Sequence, residues 1–342
     1  MNTRAQIRML PDGRRLHMHD GPIDLIVQAF GAAAEIEVAY RAAAERFVSV
    51  LDELCGELAF LRSPTREDGP LPVGPIAHRM AAAVQPYAST TFITPMAAVA
   101  GAVAEEILQA MTTLAVLSRA YVNDGGDIAL HFTPGKRFVV GMMEYFKPEP
   151  TALPQRVTPH ELPNTPVFLC DPRGSRSLSA SDEPSPDAYQ PQKTTLFGTT
   201  TIEFANPIRG IATSGWRGRS FSLGIADAVT VLADTAAMAD AAATIIANAV
   251  DLPGHPSVER VPACELAPDS DLGERLVTQS VGELTREEII EALAAGISVA
   301  QSLQAAGLIR SAALNLHGET RVAGAISAAR ANSARERDLL HA

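Results

Sequence analysis

Polar and apolar residues alternate along the first thirty positions, and then the period changes. Ile7-Arg8-Met9-Leu10 and Leu16-His17-Met18-His19 flank Pro11-Asp12-Gly13-Arg14, turn chemistry that predicts a β-hairpin. Residues 23–30 alternate again and predict a third strand. From residue 32 to about 61, Ile36, Ala39, Tyr40, Ala43, Phe47, Val50, Leu51 and Leu54 recur at helical spacing. A Pro/Gly-rich connection over 63–74 precedes a short helix over 74–87. Thr94-Pro95 then opens a longer helix, with Thr as N-cap and Pro at the first helical position. That helix runs to about residue 117 and is small-sided early (Ala97, Ala98, Ala100, Gly101, Ala102, Ala104), which lets another backbone approach closely. Strands are expected over 120–122, 128–132 and 138–143.

The pattern breaks over 147–193. This stretch is rich in Pro, Ser and Asp, with Val167-Phe168-Leu169-Cys170 as its one apolar island, and it predicts a long excursion between halves 1–146 and 194–342. In the second half, strands are expected over 199–204 and 229–232, and a helix over 236–250. A loop over 253–271 follows, in which 258–264 has edge-strand character. A helix over 287–306 takes Thr285 as N-cap, and a polar helical tail follows Leu316. A small-residue helix precedes Asn123-Asp124-Gly125-Gly126-Asp127, and another follows 213–227. Two related α/β halves would produce this echo; so would alanine bias.

Composition narrows the function classes. Of 342 residues, 46% are apolar and 20% charged, which suits a compact core of one or two domains rather than disorder. A net charge of −11 argues against nucleic acid as a partner. A small anion stays open, because a local arginine pair and backbone N–H groups suffice to hold it. Cys55, Cys170 and Cys264 are odd in number and far apart, so zinc ribbons and iron–sulfur clusters are disfavoured, and free thiols point to a reducing compartment. Residues 1–10 are too polar for a secretory signal. The most apolar window, 97–117, is interrupted by Glu105, Glu106 and Gln109. The expectation is a cytoplasmic protein with no membrane partner.

One stretch combines bare backbone, cations and acids. Residues 210–227 hold Thr213, Ser214 and Gly215, then Arg217, Arg219 and Ser220, and end on Asp227. Arginine grips phosphate with a fork of donors, so this loop is a candidate anion pocket, with a solvated loop as the plain alternative. Trp216 stacks on a ring or caps the core. Asn123-Asp124-Gly125-Gly126-Asp127 is a hairpin turn, or a bend whose Gly125 and Gly126 let a ligand lie on bare backbone beside Asp127. Asp240 and Thr244 stand one helical turn apart, a carboxylate and a hydroxyl on one face. That pair is a minimal magnesium site, unless Asp240 simply answers the helix dipole. The eight histidines form no HExxH group, and no G-x-S-x-G elbow, Walker A loop or G-x-G-x-x-G fingerprint is present.

The order GGDI (125–128), ATSG (212–215), an apolar strand and then A-D-A-A-A-T (239–244) resembles the ApbE-like superfamily, the FAD:protein FMN transferases. The unbroken run 210–251, with 94–106, is similar to a bacterial and archaeal side branch of that superfamily. The resemblance covers roughly 94–251. It implies an α+β fold of two similar subdomains with the ligand in a cleft between them. It also implies magnesium held by Asp240 and Thr244 with a backbone carbonyl near Thr213, and FAD or FMN lined by Gly125, Gly126 and Asp127. The implied chemistry cleaves the FAD pyrophosphate and moves FMN onto Ser or Thr of an acceptor protein, the metal neutralising phosphate charge. The chain departs from the pattern where the transferases carry His-x-x-Asp-Pro-x-Thr-Gly: residues 218–227 are shorter and hold no histidine. The fold and its anion pocket are thus implied more directly than FMN transfer.

The expected function is binding of a flavin or nucleotide phosphate with magnesium. Asn123 to Asp127, Thr213, Ser214, Gly215 and Ser220 would line the ligand, Arg217 and Arg219 would hold phosphate, and Arg219 and Asp227 would be the catalytic pair. The alternatives are a non-catalytic binding or assembly module of the same fold, and a redox-associated enzyme acting on another aromatic substrate. The small helix faces permit a homodimer.

Overall fold

The computed structural model describes residues 4–145, 168–170, 194–325 and 327–328. The stretch 147–193, apart from 168–170, and the tail after 328 lie outside the described residues.

In chain order the strands are β1 (Gln6–Met9), β2 (Arg15–Asp20), β3 (Ile23–Gly31), β4 (Leu117–Asp124), β5 (Asp127–Phe132), β6 (Arg137–Tyr145), β7 (Phe168–Cys170), β8 (Thr194–Glu203), β9 (Gly210–Ser214), β10 (Ala228–Ala233), β11 (Val258–Pro262), β12 (Leu276–Val281), β13 (Ser311–Leu316), β14 (Glu319–Ala323) and β15 (Ser327–Ala328). The helices are α1 (Ala33–Gly56), α2 (Leu58–Leu61), α3 (Pro75–Val84), α4 (Val99–Leu114), α5 (Ala236–Ala249), α6 (Ala263–Leu266) and α7 (Arg286–Ala305). This mixed α/β content agrees with the expected fold class.

Nine strands make one antiparallel sheet in the order β1-β2-β3-β4-β5-β9-β10-β13-β14. Strands β1 to β5 come from the first half and the other four from the second. Each half repeats one order: a hairpin (β2–β3, then β9–β10), long helices (α1 and α4, then α5 and α7), and a closing hairpin (β4–β5, then β13–β14). The chain is thus built on a duplicated plan. The frame differs from the echo in the sequence: α4 corresponds to α7 and α5 to α1.

Strand alternation gives the sheet two apolar faces. Val27, Ala120, Val122, Ala129, Ala212, Val229, Val231 and Leu314 share one core with the helices. Tyr121, Ile128, Leu130, Phe132, Ile211 and Leu232 share a second core with Phe138, Val140, Met142 and Ile202 of the small sheet β15-β8-β6-β7. The molecule therefore has three layers, helices, main sheet and small sheet.

Within the main sheet the halves join at β5 and β9, where the ladder has two residue pairs, Ile128 with Ile211 and Ala129 with Gly210, while β6 and β8 join them again in the small sheet. Registers across the sheet bring four hairpin connections, β2–β3, β4–β5, β9–β10 and β13–β14, to one end, opposite the β1–β2 turn: Asp20 pairs with Ile23, Leu25 with Asp124, Asp124 with Asp127, Val229 with Ser214, Ala228 with Asn315 and Leu316 with Glu319.

Several sequence expectations are corrected. Thr94 does hold the N-cap position and Pro95 opens the helical run, as expected, but that run begins as a 3₁₀ turn over Pro95–Ala98 before α4, and the Thr94 hydroxyl donates to Asp271 at 2.5 Å rather than serving as a cap. Directly after Leu316 the chain is not helical but turns at once into β14; the rest of the expected helical tail lies outside the described residues. The helix expected to end near residue 61 breaks at Gly56. The cap on α7 is as expected, a full capping box in which Thr285 and Glu288 satisfy each other's backbone N–H.

Candidate functional site

The junction between the halves opens just beyond its two paired residues. Past Ile211, β9 no longer has β5 as a ladder partner. The Thr213 N–H instead donates to the Asp127 carboxylate at 3.1 Å, so a side chain from the first half holds backbone from the second. Asn123 closes the β4–β5 turn by accepting the Gly126 N–H at 2.8 Å. Gly125 sits at φ +63°, and a Cβ there would lie 2.7 Å from Nη1 of Arg219. Arg219 also donates to the Pro22 carbonyl in the β2–β3 turn at 2.7 Å. The arginine-bearing loop of one half therefore lies on the glycine bend of the other.

Three carboxylates gather behind this contact. Asp124 and Asp127 bracket the turn and point to the helical side of the sheet, in phase with Val122 and Ala129. Asp240 comes from α5. It accepts the Gly101 N–H at 3.1 Å and also the Ala100 N–H, at the start of α4. Asp124 is buried at 6% exposure, whereas Asp127 and Asp240 are deeply set but keep part of their surface open. Burial pushes Asp124 up from 3.8 to about 7, against the backbone N–H of Asp24 and the charge of Arg219. Burial likewise raises Asp127 well above its usual range, with Asp240 and Asp124 adding like-charge repulsion. Asp240 rises to about 7, chiefly by burial, while its two N–H donors hold it down. A crowded set of acids, each pushed above the usual carboxylate range by burial, is a strong cue for a functional pocket.

Helix packing makes this closeness feasible. The buried face of α5 is almost all alanine, and the first turn of α4 is small-sided, with Gly101, Ala102 and Ala104 buried there. A Cβ on Gly101 would lie 2.3 Å from the Ala236 carbonyl oxygen, so the backbones touch where no side chain fits between them. Thr244 follows Asp240 by one turn, is half-buried, and makes no side-chain hydrogen bond among the described residues.

Asp227 and Arg217 form a separate unit. The Asp227 side chain is fully buried. One oxygen accepts from Arg217 Nε at 2.6 Å and from the Trp216 indole at 3.0 Å; the other accepts the His317 N–H at 2.6 Å. With both oxygens engaged, this carboxylate pins the loop to the β13–β14 turn. Trp216 lies against the Arg217 guanidinium, 4.8 Å from ring centre to Cζ. No hydrogen bond among the described residues joins this unit to the three acids. Ser214 is half-buried, Gly215 buried and Ser220 exposed.

Two partners escaped the sequence reading. Asp124 was part of the turn string but not singled out; its alternation with Val122 is the signal that it faces inward. Glu105, which accepts the Ala237 N–H of α5 at 2.8 Å, was read only as a break in an apolar window.

No group of three His, Cys, Asp or Glu side chains among the described residues is arranged to hold a metal ion, and no described helix is long and apolar enough to cross a membrane. In comparison with known proteins, the family described as AbpE bacteria matches residues 7–163 and 179–322. No curated protein matches the chain.

Proposed function

We propose a function from one premise: this chain belongs to the family described as AbpE bacteria. The crevice between the β4–β5 turn, the Arg219 loop and α5 binds the phosphates of a flavin or another nucleotide together with magnesium, as in the ApbE-like superfamily. The supporting observation is the placement of Arg219 against Gly125, with Asp240 set behind them.

The donor set fits magnesium. A carboxylate (Asp240), an unengaged hydroxyl (Thr244) and a carbonyl near Thr213 are hard oxygen ligands, and magnesium takes few protein ligands while keeping water and phosphate oxygens. When bound, the cation would neutralise charge building on a cleaved pyrophosphate. Arg219 supplies a positive charge beside bare backbone, where a phosphate can approach closely. Asp127 holds the Thr213 backbone in place, and Asp227 aims Arg217. The reaction this set supports is cleavage of the FAD pyrophosphate with transfer of FMN to a protein Ser or Thr.

A second reading is a binding or assembly module that retains the pocket without transfer. It is favoured by the engagement of both Asp227 oxygens and by the lack of a histidine in 218–227. Release of AMP from FAD with magnesium, measured by chromatography, separates the two. Release by the intact chain that is abolished in Asp240→Ala supports the enzyme. Saturable FAD binding with no AMP supports the module. Neither binding nor release contradicts both.

A further inference from the structure

A cavity of about 610 Å³ lies along the C-terminal half of α5, between the turn at Tyr87, the segment ending at Phe92, the β11–β12 hairpin and α7. None of the acids of the crevice lines it, nor do Arg217, Arg219 or Thr244. Its size suits a small organic molecule. One wall is apolar, formed by Leu223, Ile245, Ala249, Val299 and Leu303.

The polar groups on the other side are unequally satisfied. The acid present, Asp251, is neutralised by both terminal nitrogens of Arg260. The Asn248 oxygen already accepts from the Leu223 N–H at 2.9 Å and from the Ser222 hydroxyl at 3.3 Å, which leaves its two amide hydrogens. The Thr91 hydroxyl has no partner among the described residues. Neither has the hydroxyl of Tyr87, although that residue is only 4% exposed. Burial pushes Tyr87 up to about 12, so it stays a donor at neutral pH. Arg275 lies over the Phe92 ring, with Cζ 3.3 Å from its centre. It makes one long bond to the Leu272 carbonyl, 3.4 Å, and no ion pair among the described residues. Every group the cavity leaves unsatisfied can therefore donate, and the cavity carries one net positive charge.

We propose that this cavity binds a small organic carboxylate, its apolar body against α5 and α7 and its head on Arg275, Tyr87, Thr91 and the Asn248 amide. The charges match one to one, since a carboxylate brings a single negative charge to a wall where Arg260 is already neutralised. A charged acceptor answers the waiting donors better than a neutral one. This site is independent of the magnesium and flavin reading.

The test is calorimetric titration of the full chain with 1-naphthoate and with its neutral counterpart 1-naphthalenemethanol. Saturable naphthoate binding is expected, weakened about tenfold or more in Arg275→Gln, with the neutral probe shifted less than about twofold. Ala249→Phe, which fills the apolar wall, should abolish binding of both probes, with circular dichroism confirming that the variant is folded. Prior addition of FAD and magnesium should leave naphthoate binding unchanged. The proposal is overturned by absence of saturable binding, by indifference to Arg275→Gln or to a folded Ala249→Phe, or by displacement of naphthoate by FAD.

Discussion

Glu105 and Asp240 exchange helix caps: Glu105 of α4 accepts the Ala237 N–H at the start of α5, and Asp240 of α5 accepts the Gly101 N–H at the start of α4. Both helices begin with backbone donors that lack a partner within the helix. Where the two helices start, their backbones touch at Gly101 and Ala236, and each helix supplies the other's acceptor. Asp240 is thereby fixed in direction as well as in place.

The two acids should therefore respond differently to substitution. Glu105→Ala leaves the Ala237 N–H unanswered and should cost about 1–2 kcal/mol in urea unfolding. Asp240→Asn retains an oxygen that accepts the same N–H groups, so its stability should stay within about 1 kcal/mol of the parent. That makes it the cleaner probe of the crevice.

At Gly125 the turn needs a left-handed backbone, and the missing Cβ makes room for Arg219. Gly125→Ala should lower stability by about 1–2 kcal/mol, measured by thermal unfolding. It should also weaken nucleotide binding by displacing the guanidinium. Arg219→Ala should weaken binding while changing stability by no more than about 0.5 kcal/mol, as befits an exposed side chain. If Arg219→Ala left nucleotide affinity intact, the arginine would have no part in the pocket.

The buried acids impose a pH dependence. Asp124 titrates near 3.8 when unfolded and near 7 when folded, so between these values the folded state holds the extra proton. Stability contributed by that proton is present below about pH 4 and falls as pH rises towards 7. Asp124→Asn mimics the protonated acid and keeps an acceptor for the Asp24 N–H. It should raise the melting temperature by a few degrees at pH 8 and leave it unchanged at pH 4. An equal shift at both values would mean that charge is not the cause.

The opposite sign is expected at α7. Glu288 is held down at about 2 by the Thr285 backbone N–H, with His255 and the Thr285 hydroxyl adding to it. Its contribution is present above the usual carboxylate range and is lost as pH falls from about 4.5 towards 2. Thr285→Ala should cost about 1 kcal/mol at neutral pH, checked by chemical unfolding.

How much of this was legible follows from which forces act locally. Strands β2 and β3 and helix α1 announce themselves by period, because one face of each is buried and the other is not. Residues 311–316 do not, since β13 is buried throughout. A strand covered on both faces loses its alternation. The same holds for Thr94, whose local chemistry predicts a cap but whose hydroxyl is taken by Asp271, far along the chain. In the crevice, the glycine bend, Arg219 and Asp240 were readable from residue type. Asp124 was readable from its phase with Val122, whereas Glu105 was not, because what distinguishes it is the Ala237 N–H supplied by the other half.

The most direct measurement is the affinity for FAD, read from quenching of flavin fluorescence, with and without magnesium, in the parent and in Asp240→Asn. The proposed crevice predicts saturable binding that magnesium tightens and an Asp240→Asn variant that is folded but no longer responds to magnesium. Binding that ignores both magnesium and Asp240→Asn, or no binding at all, would contradict it.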